Sequence, residues 1–257
     1  MVEYAVDGQV ALITLNRPEA RNAVNGQVAV EMEAAIDQME ADPNVWVGIL
    51  NAVTTPERPV FCAGADLKAI NAGQSGAINT KRGGFGGFVY RERTKPIIVA
   101  VDGLATAGGC EIVLAADLVV ATHRSAFGLA EVKRNLIAGA GGLFRLPRAI
   151  GRSAAMEAIL TGEPFTAERA YNLGLVSRLV EDGQAEAEAM KLALQICQNA
   201  PLAVWASRKV VLAAHTENDE TLKQMTNAAF AGVLASSDTK EGLEAFIEKR
   251  SPIWSGK

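Results

Sequence analysis

Short, nearly uninterrupted apolar runs are the feature of this sequence that most restricts its fold. Three of them read VWVGILNA, PIIVAVDG and DLVVAT, and glycine-rich turns and helical stretches lie between them. A strand with one face in water alternates apolar and polar residues, whereas a continuously apolar strand needs cover on both faces. The alternation of such runs with helical stretches therefore predicts an α/β protein with largely buried strands.

The first 41 residues predict a hairpin and then an amphipathic helix. The runs VEYAV and QVALITL are joined by Asp7-Gly8, a pair that favours a tight turn between antiparallel strands. After the loop NRPEARNA, residues 26–41 fit a helix. Its apolar face is formed by Val28, Met32, Ala35, Ile36 and Met39.

From residue 144 onward, helical patterns dominate and strand signals become rare. We expect helices at 152–161, 166–172, 184–199, 202–214, 219–235 and 239–249. The helix over 219–235 keeps one face apolar, and such a face must be covered by the chain's own core or by a neighbouring subunit. Residues 74–89, QSGAINTKRGGFGGFV, are polar and then glycine-rich, so we expect a mobile surface loop there.

Composition excludes several classes of function. A net charge of −4 argues against nucleic-acid binding, and no apolar run reaches the roughly 18–20 residues of a membrane span. The three cysteines form no C-x-x-C pair, which makes a disulfide framework improbable, and Cys110 is expected to be a small buried apolar residue. The two histidines lie in no metal-spaced cluster. The first ten residues lack a signal-peptide pattern, so we expect a cytoplasmic protein.

Common nucleotide and hydrolase motifs are absent. The sequence contains no phosphate-binding G-x-x-x-x-G-K-[ST] loop, no G-x-G-x-x-G after a strand and no G-x-S-x-G elbow. Nucleotide hydrolysis, dinucleotide redox chemistry and serine-hydrolase chemistry are therefore disfavoured.

Two glycine-containing turns are candidates for binding a negative oxygen. In FCAGADLKAI, Gly64 allows a turn, and the amides of Ala65 and Asp66 begin a short helix without intrahelical acceptors. The alternative is an ordinary glycine turn with Asp66 as the capping residue. In DGLATAGGCEIVLAADL, Gly108 and Gly109 likewise precede a helix. Two amides from separate loops aimed at one oxygen would form an oxyanion hole.

Two glutamates lie in apolar surroundings. Glu111 follows the Gly-Gly-Cys turn directly and precedes an apolar run, where a charged carboxylate is costly. Glu131, in SAFGLAEVKRNL, taken alone is more typical of a surface helix residue. If the two meet in space, burial and mutual repulsion raise their pKa values, which suits general acid–base chemistry.

These segments together resemble the enoyl-CoA hydratase/isomerase (crotonase) superfamily. The similarity runs nearly end to end through LNRPEARNA, FCAGADLKAI, KPIIVAVDGLATAGGCEIVLAADLVVA, FGLAEVKRNLIAGAGGLFRLPRAIG, LTGEPFTAERAYNLGLVSRLV and EGLEAFIEKR. The resemblance implies a spiral of ββα turns over residues 1–195 and a helical trimerisation region over 196–257. It also implies a homotrimer, or a hexamer of two trimers, that takes an acyl-CoA substrate and needs no cofactor or metal.

The resemblance assigns roles to particular residues. It places the oxyanion hole at the amides of Ala65 and Gly108 and the acid–base pair at Glu111 and Glu131. The residues expected to contact coenzyme A are Arg21, Ala63, Asp66, Leu67 and Lys68, together with Phe246 and Lys249 of a neighbouring subunit.

The implied reaction is hydration of a trans-2-enoyl-CoA in fatty-acid or other lipid metabolism. A carnitinyl-type CoA dehydratase and an enoyl-CoA isomerase on the same scaffold remain alternatives, as does a CoA-ester-binding protein without catalysis. The sequence departs from the family pattern at Ala107, Ala130 and Ala138 and in GGLFRL, where relatives often carry GGTQRL. The preferred acyl chain is therefore left open.

Overall fold

The computed structural model describes residues 1–257 as a mixed α/β fold. The strands are β1 Val2–Asp7, β2 Val10–Leu15, β3 Val47–Ala52, β4 Val60–Cys62, β5 Asn79–Thr80, β6 Gly84–Phe85, β7 Ile97–Val101, β8 Leu104–Thr106, β9 Leu118–Thr122, β10 Ala126–Gly128, β11 Phe165–Thr166 and β12 Arg178–Val180. The helices are α1 Gly26–Ala41, α2 Leu67–Ala69, α3 Gly108–Leu114, α4 Gly142–Ile150, α5 Arg152–Thr161, α6 Ala167–Asn172, α7 Ala185–Cys197, α8 Pro201–Ala213, α9 Asp219–Leu234 and α10 Ser237–Glu248. Short helical turns span Pro18–Ala20, Ile70–Gln74 and Glu131–Arg134.

A six-stranded sheet forms the centre of the molecule. Its order is β1-β2-β3-β7-β9-β12, with β1 antiparallel to β2 and every other neighbouring pair parallel. The predicted hairpin is confirmed, because Asp7 pairs with Val10 across a turn in which Gly8 has a φ of 57°. The three apolar runs form the adjacent parallel strands β3, β7 and β9.

Both faces of this sheet are covered, as the continuous apolar runs predict. In β7, Ile97, Val99 and Val101 point into the larger core with α1 and α3, while Ile98 and Ala100 point to the other face. There α7 packs through alanines spaced four residues apart, Ala185, Ala189 and Ala193. The alternation of side chains along a strand thus places successive residues of one run in two separate cores.

A second sheet brings together the turns that carry the candidate site. Its order is β11-β10-β8-β4, with β4 and β10 both parallel to β8. Parallel strands end at the same edge of a sheet, so the segments that follow β4, β8 and β10 begin close together. These segments contain Ala65, Gly108 and Glu131 respectively.

The expectation of a mobile surface loop over 74–89 is wrong for its second half. Phe85, Phe88 and Val89 are buried in the larger core, and β5 pairs with β6 in a small hairpin. The carboxylate of Glu33 on α1 also accepts hydrogen bonds from Thr80 and from the N–H of Gly83. The glycines of this stretch let its backbone approach α1 closely, which a pattern of polar and glycine residues does not reveal.

The C-terminal helices form a layer that is only partly attached to the rest of the chain. The indole N–H of Trp205 on α8 donates to the carbonyl of Trp46 at 3.1 Å, and Arg208 contacts Asp117 at 2.8 Å. In contrast, α9 has no buried residue, and Phe230 on its apolar face is 64% exposed. The boundary expected between residues 195 and 196 falls in the last turn of α7. None of the helices has the length and apolarity that a membrane crossing needs.

Candidate active site

Glu111 lies in the first turn of α3, at the point where β8 gives way to the helix. Ala107 directly precedes α3 with φ 50° and ψ −129°, a conformation that costs a residue with a side chain about 1–3 kcal/mol. The N–H of Ala107 donates to the carbonyl of Gly128 at 2.8 Å, which ties this turn to β10. The turn therefore fixes the direction in which α3 starts and the position of the Glu111 side chain.

Two backbone amides hold the Glu111 carboxylate. Its Oε1 accepts hydrogen bonds from the N–H of Ala140 at 2.7 Å and of Gly142 at 2.9 Å, and the residue is 3% exposed. A Cβ atom at Gly142 would lie 2.8 Å from a methyl group of Leu129, so a glycine is needed for its amide to come this close. Oε2 accepts no hydrogen bond from within the chain and is thus available to a ligand.

Burial controls the protonation of this carboxyl. Desolvation raises the pKa of Glu111 to about 7, and the charge of Glu131 acts in the same direction. The amides of Gly142 and Ala140 and the charge of Arg145 oppose the rise. Because the pKa lies near neutrality, Glu111 can hold or release a proton under ordinary conditions.

Glu131 begins the single helical turn Glu131–Arg134 after β10 and is half-buried rather than on a surface helix. Its Oε2 is buried and has no hydrogen-bond partner in the chain. Burial also raises the pKa of Glu131. A buried carboxylate oxygen without a partner is costly unless a ligand or water completes its hydrogen bonds. A Cβ atom placed on Gly142 would lie 2.8 Å from Leu129, two residues before Glu131, and 3.1 Å from Oε1 of Glu111, so the structure brings the two glutamates into the same region.

The loop after β4 presents the amide of Ala65. Ala65 forms an isolated parallel bridge with Val24, in which Val24 N–H donates to Gly64 at 2.8 Å and Asp66 N–H donates to Val24 at 2.8 Å. In such a bridge the N–H of the middle residue points away from the partner segment. Accordingly, the N–H of Ala65 has no acceptor within the chain.

Gly108 lies next to this loop. A Cβ atom placed on Gly64 would be 2.9 Å from the nitrogen of Gly108, so the two turns are in direct contact. Gly108 is the first residue of α3, and the first N–H groups of a helix lack intrahelical acceptors. The ring of Phe85 lies against Gly108 so closely that any side chain there would overlap it.

Asp66 has a structural role in this loop. Its Oδ2 lies 2.6 Å from Nη1 of Arg17, and its Oδ1 accepts from the N–H groups of Lys68 and Ala69. The Arg17 guanidinium lowers the pKa of Asp66 below its usual value. The alternative interpretation of Asp66 as a capping residue is thus confirmed. Arg17, whose role no sequence motif indicates, holds the loop that carries Ala65 through this ion pair.

The other residues expected at coenzyme A are arranged around the same loop. Arg21 is exposed with φ 55°, and its carbonyl accepts from Ala63 N–H at 3.1 Å, which brings these two residues together. Leu67 and Lys68 are exposed on α2, beside Ala65. The side chains of Arg21 and Lys68 form no salt bridge, so both cations are free for an anionic ligand.

Phe246 and Lys249 lie far along the chain, at the C-terminal end of α10. Phe246 is 85% exposed, and Lys249 caps the helix with φ 56°. α10 packs chiefly against α9 and the C-terminal residues rather than against the loops around Ala65 and Gly108. Within one chain, these two residues are therefore separate from the rest of the candidate site.

No group of three histidine, cysteine, aspartate or glutamate side chains is placed to hold a metal ion. Cys110, directly before Glu111, is fully buried, and burial raises the pKa of its thiol above the usual value. A protonated, inaccessible thiol is a poor nucleophile. The polar chemistry at this position thus belongs to the carboxylates and the backbone amides.

Comparisons with known proteins identify the family of this chain. The family model for enoyl-CoA hydratase/isomerase matches residues 6–257. A probable mitochondrial enoyl-CoA hydratase of Dictyostelium discoideum is 36% identical over 97% of this chain and 89% of that protein. A carnitinyl-CoA dehydratase of Salmonella typhi is 34% identical over 98% of this chain and 97% of that protein.

A solved structure extends the similarity to three dimensions. The crystal structure of an enoyl-CoA hydratase from Mycobacterium tuberculosis superposes with a TM-score of 0.94 at 43% identity. The match covers 100% of this chain and 99% of that one, so the crotonase-like fold predicted from the motifs is confirmed. The chain therefore belongs to the enoyl-CoA hydratase/isomerase family of the crotonase superfamily.

Proposed function

We propose that this protein is a hydro-lyase that adds water to a trans-2-enoyl-CoA and forms a 3-hydroxyacyl-CoA. The observation that supports it most directly is the placement of the buried Glu111 and the half-buried Glu131 beside two loops that offer the unpaired amides of Ala65 and Gly108. Both carboxyls have raised pKa values. This combination fits a reaction that needs proton transfer and the stabilisation of a negative oxygen.

The amides of Ala65 and Gly108 would bind the thioester carbonyl oxygen. As water attacks Cβ, electron density moves from the double bond to that oxygen and the substrate becomes enolate-like. The amides bind this charged oxygen more strongly than the ground-state carbonyl, which lowers the barrier. One such donor is typically worth about 3 kcal/mol.

The two carboxyls would hold the attacking water. Glu111 already receives two backbone N–H bonds at Oε1, so its Oε2 is free to accept a hydrogen bond from the water. One carboxylate takes a proton from water as its oxygen bonds to Cβ, and Glu131 gives a proton to Cα. The proton taken from water replaces the proton given to carbon, so the pair holds the same number of protons before and after.

The CoA part of the substrate would lie along the loop that contains Ala63, Ala65 and Asp66. Arg21 and Lys68 supply unpaired positive charge for its phosphates, and Leu67 supplies an exposed apolar surface. Asp66 acts on the ligand through the loop that it stabilises, because its carboxylate is already bonded to Arg17.

We also propose that the protein assembles as a homotrimer, alone or paired into a hexamer, through residues 196–257. The apolar face of α9 is uncovered within one chain: Phe230 is 64% and Leu234 is 53% exposed. A neighbouring subunit would cover this face and bring its Phe246 and Lys249 to the coenzyme A. Light scattering should give three or six times the 27.1 kDa chain mass. A monomer would exclude this part of the proposal.

A dehydratase acting on a carnitinyl-type CoA ester is the second candidate. It uses the same two carboxyls in the reverse direction, and a relative with 34% identity bears that name. Isomerisation is a weaker alternative because many isomerases need only one carboxylate, and a non-catalytic binder would have no need for two carboxyls withdrawn from water. A role in lipid metabolism stays a prediction. The cytoplasmic location also stays a prediction, since one relative is named a mitochondrial enzyme.

The deciding experiment measures loss of the conjugated-thioester absorbance for enoyl-CoA esters of increasing chain length. A panel of 3-hydroxyacyl-CoA and carnitinyl-type esters tests the dehydratase in parallel. Turnover of one enoyl-CoA that disappears in Glu131→Gln supports hydration. Tight binding of the esters without turnover of any would contradict it.

A further inference from the structure

Arg145, on α4, links two segments that are distant in sequence. Its Nη1 donates to the carbonyl of Ala140 at 3.1 Å and its Nη2 donates to the carbonyl of Val89 at 2.6 Å. Arg145 forms no salt bridge with any carboxylate. Its charge is therefore satisfied by backbone carbonyls and aromatic rings, which is an unusual use of a half-buried guanidinium.

The first carbonyl belongs to the loop that holds Glu111. Ala140 donates its own N–H to Glu111 Oε1 at 2.7 Å and accepts from Arg145 through its carbonyl. Gly142, two residues on, donates the second N–H to the same oxygen at 2.9 Å. If Arg145 were lost, this loop would keep no other side-chain bond to the carbonyl of Ala140, and both amides would be less well fixed.

The second carbonyl belongs to the segment that covers Gly108. Val89 N–H donates to the carbonyl of Phe85 at 3.3 Å, so the two residues are in one turn. The Phe85 ring lies directly against Gly108. Arg145 thus reaches the Glu111 side of the site with one nitrogen and the Gly108 side with the other.

Aromatic rings hold the guanidinium in this position. The Cζ atom of Arg145 is 5.2 Å from the Tyr90 ring centroid and 5.3 Å from that of Phe144. Such contacts are worth about 0.5–2 kcal/mol and favour one orientation of the planar group. The side chain is therefore fixed between two rings as well as by two carbonyls.

We propose that Arg145 is a positioning residue that sets the Glu111 carboxylate relative to the Gly108 amide. It acts through the peptide of Ala140 and the turn that ends at Val89 and does not touch the reacting atoms. A lysine keeps the charge but cannot donate to two carbonyls in the planar geometry of the guanidinium. The inference rests on the proposed hydration for its kinetic test, and a second measurement is independent of turnover.

The kinetic test compares Arg145→Lys and Arg145→Met with matched changes at Arg148. Arg148 is on the same helix and is also 5.3 Å from the Phe144 ring, but it donates no hydrogen bond to the chain. We expect Arg145→Lys and Arg145→Met to lower kcat about 10–100-fold, because a small misplacement of a catalytic group has that effect. The KM of the CoA ester should change less than about twofold, since neither segment is in the CoA loop. Arg148→Lys and Arg148→Met should behave like the unchanged protein.

The second measurement follows the titration of Glu111 directly, without substrate. Carbon-13 NMR of labelled glutamate, with Glu111→Gln to assign the signal, should give a higher midpoint in Arg145→Met than in the unchanged protein. The positive charge of Arg145 and the two backbone amides favour the ionised carboxylate, so losing the charge and loosening the amides should raise the pKa of Glu111. Besides Arg145, the groups that face Glu111 are Glu131 and the buried thiol of Cys110, and both are unchanged in this variant.

The outcomes separate the two proposals. If the unchanged protein hydrates no enoyl-CoA, the proposed function fails, and the titration still decides the role of Arg145. Wild-type kcat in Arg145→Lys, or an unshifted Glu111 midpoint in Arg145→Met, would overturn the positioning role. If both variants fail to fold, Arg145 is required for the fold itself and the positioning role is likewise rejected.

Discussion

The backbone nitrogen of Ala140 lies 2.7 Å from Oε1 of Glu111 and donates a hydrogen bond to it, although Glu111 is only 3% exposed. This bond favours the ionised carboxyl, whereas burial favours the neutral one. Burial dominates, so the pKa of Glu111 rises to about 7. The balance makes the site sensitive to pH and costs the folded protein stability when the carboxyl is charged.

Glu111→Gln should therefore stabilise the protein in alkaline solution. The folded pKa is about 7 against a usual 4.5, so the folded state binds more protons than the unfolded state between these values. Stability falls as pH rises through this window, and the full cost, about 3 kcal/mol, is present above pH 7. Urea unfolding at fixed protein concentration should show the variant more stable at pH 8 by up to about 3 kcal/mol and nearly equal at pH 4.5. An equal difference at both pH values would contradict the buried, raised carboxyl.

Glu131→Gln should abolish most turnover. General acid–base residues contribute about 10²–10⁴-fold, and glutamine has nearly the same shape but cannot transfer a proton. Steady-state kinetics should show that loss in kcat, while calorimetry with a saturated acyl-CoA shows unchanged binding. Glu163→Gln, on an exposed side chain paired with Lys133, is the control and should keep full activity. Retention of turnover in Glu131→Gln would remove Glu131 from the mechanism.

Asp66→Asn should destabilise the protein by about 3 kcal/mol, because it leaves the partly buried Arg17 with only the exposed Glu19, 3.9 Å away, as an ionic partner. The Arg17 guanidinium lowers the pKa of Asp66, so this contribution is present above the usual pKa of 3.8 and is lost as pH falls through the folded value. Chemical unfolding at pH 7 and pH 3 should show the difference between the two proteins shrinking at the lower pH. Glu163→Gln provides the exposed-pair comparison here too, with a cost below about 1 kcal/mol.

Ala107→Gly should stabilise the protein by about 1 kcal/mol. Ala107 has φ 50° and ψ −129°, and glycine relieves that strain at the cost of greater freedom in the unfolded chain. Thermal unfolding should show a higher Tm. Ala231→Gly is a control of opposite sign, because Ala231 lies within α9, where glycine costs about 1 kcal/mol. A lower Tm for Ala107→Gly would show that the turn is not strained.

Most of the long elements could be predicted from the sequence because their signals are local. The helix at residues 26–41 and the strands β3, β7 and β9 follow from periodicity and apolar runs. The second sheet was not predicted, because strands of two or three residues carry no readable period and their partners are distant in sequence.

The residues of the candidate site could likewise be predicted only where the signal is local in the sequence. Glu111 was recognisable because its neighbours are apolar, and the two glycine turns were recognisable from Gly64 and Gly108. The half-burial of Glu131 was not, because its apolar neighbours lie mainly upstream and the single helical turn that it begins ends in Lys133 and Arg134, which is typical of a surface turn. The roles of Arg17 and Arg145 depend on carboxylate and carbonyl partners that only the tertiary fold supplies.

The parallel bridge between Val24 and Ala65 has a consequence for how the proposed thioester substrate would bind. The two backbone hydrogen bonds of this bridge leave the N–H of Ala65 pointing away from Val24. This donor for a negative oxygen is therefore in place once the chain has folded. In the proposed reaction, an incoming ester would need no loop to become ordered around its carbonyl, and little of its binding free energy would be spent on rearranging the protein. The backbone bonds of Val24, Gly64 and Asp66 hold this N–H in place whatever acyl chain the ester carries.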